Sequence, residues 1–507
     1  MLLFSTVGCA MDTIGTFTLT KFIDIFDTEV PYQVMNDYCN RSKPGKDKVN
    51  YKQFKRDFEK ILPVVKSQIA SQKFKFTRFE LSLKLKKHYK LPRLIFQSSI
   101  RDRFIAKLMC IYLQVHYTEL YNANYSLIKT RNKVLDDISR ALSEKNENGE
   151  PKYKCFLRLD ISNFFDSINR SRLIALLEED NLDQDFIYLV KKLFTTMDLS
   201  MDLPSGFGIP QGISISSFLA EIYLRKFEEK FGAFPYNQNI ICFRYVDDLF
   251  VLSTDERALQ VARRNILFEL TSVYGLTIND EKIVKGELAK ESVDFLGITV
   301  SKGKISISTA QIVRVERQLN ELFLWYRRVS KSQDRRHPLY RQQSRITSSL
   351  LVRLNLLITG YTYIKKGSTQ KGRYGWIQTS LPYQIENVDA LKKLDRHVGA
   401  LIDHYILPEY KNNVIQSKKS FYHAYCSSKY KNNTDRYILD RDEVSKDEEK
   451  MYRIVCDLSF VDIKRGLNYD HYEHKLFVEN VGESLKSYFE KTLYIANRDL
   501  TTDILYW

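Results

Sequence analysis

Two adjacent aspartates, Asp247 and Asp248, sit inside an apolar run, with Ile240, Ile241 and Phe243 before them and Leu249, Phe250, Val251 and Leu252 after. Burying two carboxylates in such a place is costly unless something neutralises them. A divalent cation does so, and oxygen donors suit Mg²⁺, which takes one or two carboxylates plus substrate phosphates. Asp160 closes a second apolar run, Cys155-Phe156-Leu157-Arg158-Leu159, and can supply a third carboxylate. Three carboxylates at adjacent strand ends can hold two metals about 3.5–4 Å apart, activating a 3′-hydroxyl and stabilising a leaving pyrophosphate in an in-line displacement. A solvated turn also places two Asp side by side, so the surrounding segments decide between the two arrangements.

Those segments supply the scaffold. Cys155–Asp160 has the pattern of a strand ending in a carboxylate, followed by a helix pattern through Leu177. Gly206–Gly212 is a loop opening into a helix from about Ser214 to Phe227, and Ile240–Ser253 reads as two strands meeting at the aspartate pair. Upstream, residues 72–86 alternate Lys with Phe or Leu, which predicts strands with one apolar and one basic face, and residues 100–120 carry a helical apolar stripe. After Gly303 the pattern is almost wholly helical, with a charged linker expected at 440–450.

Hydrophobic residues are 44% and charged residues 28%, ordinary globular values that argue against a largely disordered chain. No run approaches 18 apolar residues, so no membrane-spanning helix is expected. The N-terminal MLLFSTVGCAM lacks the Lys or Arg that starts a signal peptide and reads as a packed element, with Met11 an alternative start. Seven scattered Cys without a CxxC fit a reducing cytoplasm better than disulfides or a zinc knuckle. His471 and His474, without a Cys partner, read as a surface pair. The net charge of +16 is clustered. Residues 41–107 hold 20 Lys/Arg against five Asp/Glu, and residues 311–373 hold 14 against three. Two basic blocks around a carboxylate constellation point to a polyanion partner, nucleic acid.

The same segments resemble, in order, the motifs of the reverse transcriptase family. Leu159-Asp160-Ile161-Ser162-Asn163-Phe164-Phe165-Asp166 is similar to its first palm motif, Gly208-Ile209-Pro210-Gln211-Gly212 to the second, and Tyr245-Val246-Asp247-Asp248 to the third. Gly275–Asn279 with Lys282 resembles the fourth and Val293–Gly297 the fifth. Arg93 and Asp102-Arg103 resemble the fingers motifs, and Tyr125-Ser126 with Arg131 the segment before the palm. The resemblance implies an α+β right-hand polymerase: fingers over 1–150, then a palm over 151–305 with an antiparallel sheet and inserted fingers helices at about 170–205. An all-α C-terminal domain over 306–507 would follow, with a thumb-like first part at 311–373. It implies RNA-directed DNA polymerisation with two Mg²⁺ per site (Mn²⁺ able to replace them), held by Asp160, Asp247, Asp248 and the Ile161 carbonyl. Phe165 would be the gate against a ribose 2′-hydroxyl. Gln211, Gly212, Tyr245 and Arg93 would bind the nucleotide, and Lys282 would protonate pyrophosphate. Asp166 and Glu221 are expected to be structural.

The C-terminal third, with Leu354–Gly360, Tyr374-Gly375-Trp376 and Leu394-Asp395, resembles abortive-infection and other defence-associated bacterial reverse transcriptases. That implies a cytoplasmic bacterial protein, a homo-oligomer in anti-phage defence. It would use dNTPs and either a partner noncoding RNA as template or protein-primed synthesis without one. A group II intron-like or retron-like enzyme and a catalytically idle RNA-binding palm are the alternatives. Ile312, Val315, Leu319, Leu322, Tyr326 and Val329 predict one apolar helix face, and Ile346, Leu350, Leu354, Leu357 and Tyr361 a second. Arg314, Arg317 and Arg328 fall off the first stripe and are expected to grip nucleic-acid phosphates, with an oligomer contact as the competing role.

Overall fold

A computed structural model of the chain describes residues 20–39, 44–84, 92–121, 129–202, 205–232, 239–331, 342–364, 371–379, 385–430 and 438–459, with 381, 485–486, 489–490 and 492–493. The N-terminal apolar segment, Tyr125-Ser126, His471 and His474 lie outside these residues. Two compact units divide the chain, one ending at Glu291 and the other beginning at Ser292.

In the first unit, β1 (Glu80–Lys84) and β2 (Arg93–Gln97) form an antiparallel pair. The strand expected from residue 72 starts only at Glu80. Before it, backbone groups bond to side chains rather than to a ladder: the Thr77 amide donates to Asp102 at 2.7 Å, and the Phe79 amide to Ser200 at 2.9 Å. Phe74, Phe76 and Phe79 are buried all the same, so the alternation marked burial and not a strand. The helix Ile100–Tyr121 runs through the core of this unit.

A five-stranded antiparallel sheet follows. Its centre is β3 (Cys155–Ser162). On one side lie β4 (Ile240–Tyr245) and β5 (Asp248–Ser253), in the order β4-β5-β3. On the other side β6 (Thr277–Ile278) and β7 (Val284–Glu287) pair with different halves of β3. Six of eight β3 residues are buried, which explains its near-continuous apolar sequence. The helical stretch expected through Leu177 breaks into Phe164–Ser167 and Arg170–Glu179, and the one from Ser214 ends at Tyr223, with Arg225–Phe231 after it.

The Gly206–Gly212 loop packs against β2. The Phe96 amide donates to the Gln211 carbonyl at 2.7 Å. Gly212 has φ +103, and a Cβ there would lie 2.8 Å from both the Phe96 carbonyl oxygen and Ile95 Cγ2. The close approach that Gly212 permits is therefore to β2.

The second unit opens with the antiparallel meander β8 (Ser292–Phe295), β9 (Ile298–Ser301) and β10 (Lys304–Ile307). Its two-residue turns, Leu296-Gly297 and Lys302-Gly303, have positive φ at both positions, as tight hairpins require. Helices Thr309–Lys331 and Gln343–Thr359 bury Val315, Leu319, Leu322, Tyr326 and Val329 against Ile346, Leu350, Leu354 and Leu357. Tyr361 is not on the second helix. Gly360, at φ +62, ends that helix, and Tyr361 begins β11 (Tyr361–Ile364).

The expectation of an all-α C-terminal domain is thus corrected. Within the expected helical region 306–507, β11 lies between antiparallel β12 (Lys371–Tyr374) and parallel β13 (Leu439–Asp440). The expected linker at 440–450 is also ordered structure. Asp440 ends β13, and its side chain accepts from the Asp442 and Glu443 amides to start a helical turn. The helix Glu448–Ser459 follows.

Gly212→Ala should cost on the order of 1–3 kcal/mol, because backbone strain and the clash with Phe96 add. At this size that lowers the melting temperature by roughly 2–8 °C. A calorimetric scan showing no change would mean that the loop and β2 are not held together as described.

Candidate active site

Strand register brings the carboxylates together. Asp160 on β3 is the direct cross-strand partner of Asp248 on β5. Tyr245 on β4 pairs with Asp248, which leaves Val246 and Asp247 as a two-residue hairpin turn. The Asp247 carbonyl accepts from the Ile161 amide at 3.0 Å, and the Asp160 carbonyl from the Asn279 amide at 2.9 Å. Val246 has φ +58, a left-handed conformation that is rare for a β-branched residue and strained.

Like charges directly opposite each other destabilise a sheet, and the carboxyl groups respond. Burial, then the Asp248 and Asp160 charges, pushes Asp247 up to about 6. Burial and Asp160 also raise Asp248, against the pull of Arg158. Arg158 Nη2 lies 3.3 Å from Asp248 Oδ1, and Lys282 Nζ lies 2.6 Å from Asp160 Oδ2. Alternation along β3 puts Arg158 and Asp160 on one face. Among the described residues, no three carboxylate, imidazole or thiol groups converge as a ready cation cage. The donor chemistry still fits a divalent cation. The three groups are hard oxygen donors, two on adjacent strands and one on the adjoining turn, and their charges repel one another while the chain's own cations offset part of that repulsion.

The other expected residues fall as follows. Arg93 is exposed at the start of β2, and its charge pulls the Asp247 carboxyl down. Phe165 is half-buried at the start of a helical turn after Asn163, which is left-handed at φ +47. The Gln211 amide donates to Asp166 at 3.0 Å, tying the Gly206–Gly212 loop to that turn. Tyr245 is raised by burial, with Arg131 opposing the shift. Arg314, Arg317 and Arg328 lie on the Thr309–Lys331 helix of the second unit; Arg317 and Arg328 are exposed and Arg314 half-buried.

Sequence reasoning missed the arginines that hold these pieces. Arg170 Nε donates to the Gly208 carbonyl at 2.7 Å, and its Nη1 pairs with Asp198 at 2.8 Å. Arg244, on β4, donates to the Val246 carbonyl at 3.0 Å and pairs with Glu221 and Glu228. For Arg244, a lone Arg inside an apolar strand was the available signal, because a buried charge needs partners.

Residues 85–300, which carry this site, match the family described as reverse transcriptase (RNA-dependent DNA polymerase). The Retron Ec83 reverse transcriptase of Escherichia coli is 27% identical over 208 residues, 39% of this chain and 63% of that protein. The chain thus matches just under two thirds of that relative's length. Among solved structures, telomerase from Candida albicans with the TWJ fragment of telomeric RNA is 13% identical, covering 90% of this chain and 68% of that one at a TM-score of 0.38. Apo telomerase from Candida tropicalis, truncated from the C-terminal domain, is 17% identical over 46% and 55% at 0.36. No helix among the described residues is long and apolar enough to cross a membrane.

Without metal, folded Asp247 keeps its proton up to about pH 6, whereas the unfolded group, near 3.8, loses it earlier. Stability from this group is therefore full below about pH 4 and falls as pH rises to about 6. Asp247→Asn removes that fall. In metal-free buffer the variant should match wild type near pH 4 and exceed it at pH 8, by on the order of 1–3 kcal/mol. A difference that does not change with pH in thermal melts would show that Asp247 ionises normally.

Proposed function

We propose that this protein is an RNA-directed DNA polymerase that transfers nucleotides from dNTPs. The observation carrying the proposal is the cross-strand pair Asp160–Asp248 with Asp247 at the adjoining turn, within residues that match the reverse transcriptase family. Asp160, Asp247, Asp248 and the Ile161 carbonyl would hold two Mg²⁺, or Mn²⁺, which supply electrostatic stabilisation to the attacking and departing oxygens. The chain's own residues do the rest. Lys282, which pairs with Asp160, would turn to the pyrophosphate as its proton donor. Arg93 would meet the triphosphate, since a guanidinium matches phosphate oxygens. Tyr245 and Gln211 would lie along the nucleotide and the primer end, with Gly212 setting the loop's path, and the Phe165 ring would exclude a ribose 2′-hydroxyl.

The retron relative supports a retron-like or defence-associated role in a bacterial cytoplasm. We infer a partner noncoding RNA as template, or protein-primed synthesis without one, in a homo-oligomer acting against phage. Sequencing nucleic acid that co-purifies with the protein, and testing for DNA joined to it, distinguishes the two modes.

Asp247→Ala should abolish dNTP incorporation while the melting curve remains cooperative. Full activity in this variant overturns the assignment. If wild type incorporates nothing yet retains RNA, the domain is an RNA-binding module without catalysis. Phe165→Val should raise kcat/KM for ribonucleotides relative to deoxynucleotides, and an unmoved ratio places the gate elsewhere. For the second unit, replacing Arg314, Arg317 and Arg328 by Gln should weaken nucleic-acid binding. The slope of log K against log salt should flatten by about two units, at about 0.7 per phosphate contact for single strands. An unchanged slope with altered subunit assembly would assign these arginines to an oligomer contact.

A further inference from the structure

We propose that Arg244 is a positioning residue for the carboxylate turn, and that it does this by tethering the turn to the helix that follows the Gln211-Gly212 loop. The proposal rests on the polymerase reading and deepens it. The Arg244 side chain is 1% exposed. Its fork reaches two ways. Nη1 donates to the Val246 carbonyl at 3.0 Å. Nη2 bonds Glu221 on the Ser214–Tyr223 helix and Glu228 on the Arg225–Phe231 helix, the latter at 3.0 Å. Lys129, from the surface, meets the other oxygen of Glu228 at 2.9 Å, so two cations face two carboxylates.

Each contact has a reason to be there. Val246 sits at φ +58, where a β-branched residue does not rest by preference. A two-residue turn with a strained first position needs an outside hold, and the bond to its carbonyl is one. The hold is stiff because a guanidinium is planar and its donors are fixed relative to one another. The hydrogen bonds to Glu221 and Glu228 are charge-assisted and lie out of water. Asp247 and Asp248 are the next two residues after Val246, so their placement against Asp160 follows the position of that carbonyl. The same helix opens just after Gln211 and Gly212. One side chain thus links the carboxylate turn to the loop expected to face the nucleotide.

The test is Arg244→Lys. An ammonium keeps the charge that Glu221 and Glu228 require but cannot present a rigid fork to both sides. Because misplacement of about 1 Å can cost about 100-fold, kcat is expected to fall by about ten- to a hundredfold. The nucleotide KM should move less than about twofold and the Mg²⁺ midpoint should rise several-fold, a split that a general loss of folded protein does not produce. Tb³⁺ luminescence of the metal-free protein, corrected for the signal of Asp247→Ala, reads the same site without activity and should show several-fold weaker binding. Glu228→Gln, which keeps shape and an acceptor, should move kcat and the cation midpoint the same way by less, and it decides the matter if Arg244→Lys does not fold. A folded variant with wild-type kcat and wild-type Tb³⁺ affinity overturns the proposal. A wild-type protein that polymerises nothing, but whose Tb³⁺ binding weakens in Arg244→Lys, overturns the polymerase reading and leaves the positioning role standing.

Discussion

The register that sets Asp160 opposite Asp248 is the constraint on which the rest of the site depends. A one-residue slip between β3 and β5 would turn every side chain of the strand to the other face and would separate the two carboxylates. The difference between the faces of β3 opposes the slip, since Cys155, Leu157, Leu159 and Ile161 pack into the core and a slip would turn Arg158 and Asp160 there instead. The cost is two like charges in a largely dry sheet. Arg158 and Lys282 offset part of it from within the chain. The carboxylates are thus held in place by packing that ignores their charge, and balanced by cations that a ligand of higher charge can replace.

Around that pair, buried arginines do what backbone hydrogen bonds cannot. The Gly206–Gly212 loop and the Val246-Asp247 turn both leave carbonyls outside the sheet ladder. Arg170 takes the Gly208 carbonyl and also pairs with Asp198, and Arg244 takes the Val246 carbonyl and also pairs with Glu221 and Glu228. Gln211 joins the loop to the turn that carries Phe165 through Asp166. The irregular segments of the site are therefore fixed by side chains anchored in helices, and that anchoring explains how loops can carry chemistry without being loose.

Much of this was legible in the sequence. The run 155–162 is apolar on the face of Cys155, Leu157, Leu159 and Ile161, the run 240–253 is apolar on both sides of the aspartate pair, and both read as strands, while the Ile312–Val329 stripe has one helical solution. What escaped reading depends on partners far along the chain. Lys282 lies 122 residues from Asp160, and Glu221 is 23 residues from Arg244, so no local pattern pairs them. The stretch before Glu80 alternates like a strand yet gives its amides to Asp102 and Ser200, a competition that only tertiary structure decides. The β11 strand is four residues long and finds its parallel partner at Leu439, too short and too distant a pairing to show as periodicity.

The contact between β2 and the Gly206–Gly212 loop has a mechanical consequence. The Phe96–Gln211 hydrogen bond and the missing Cβ at Gly212 couple the strand that carries Arg93 to the loop that carries Gln211. A shift of the β2 backbone toward Asp247 must drag the loop along or break that bond. A backbone movement of this junction therefore carries both residues together.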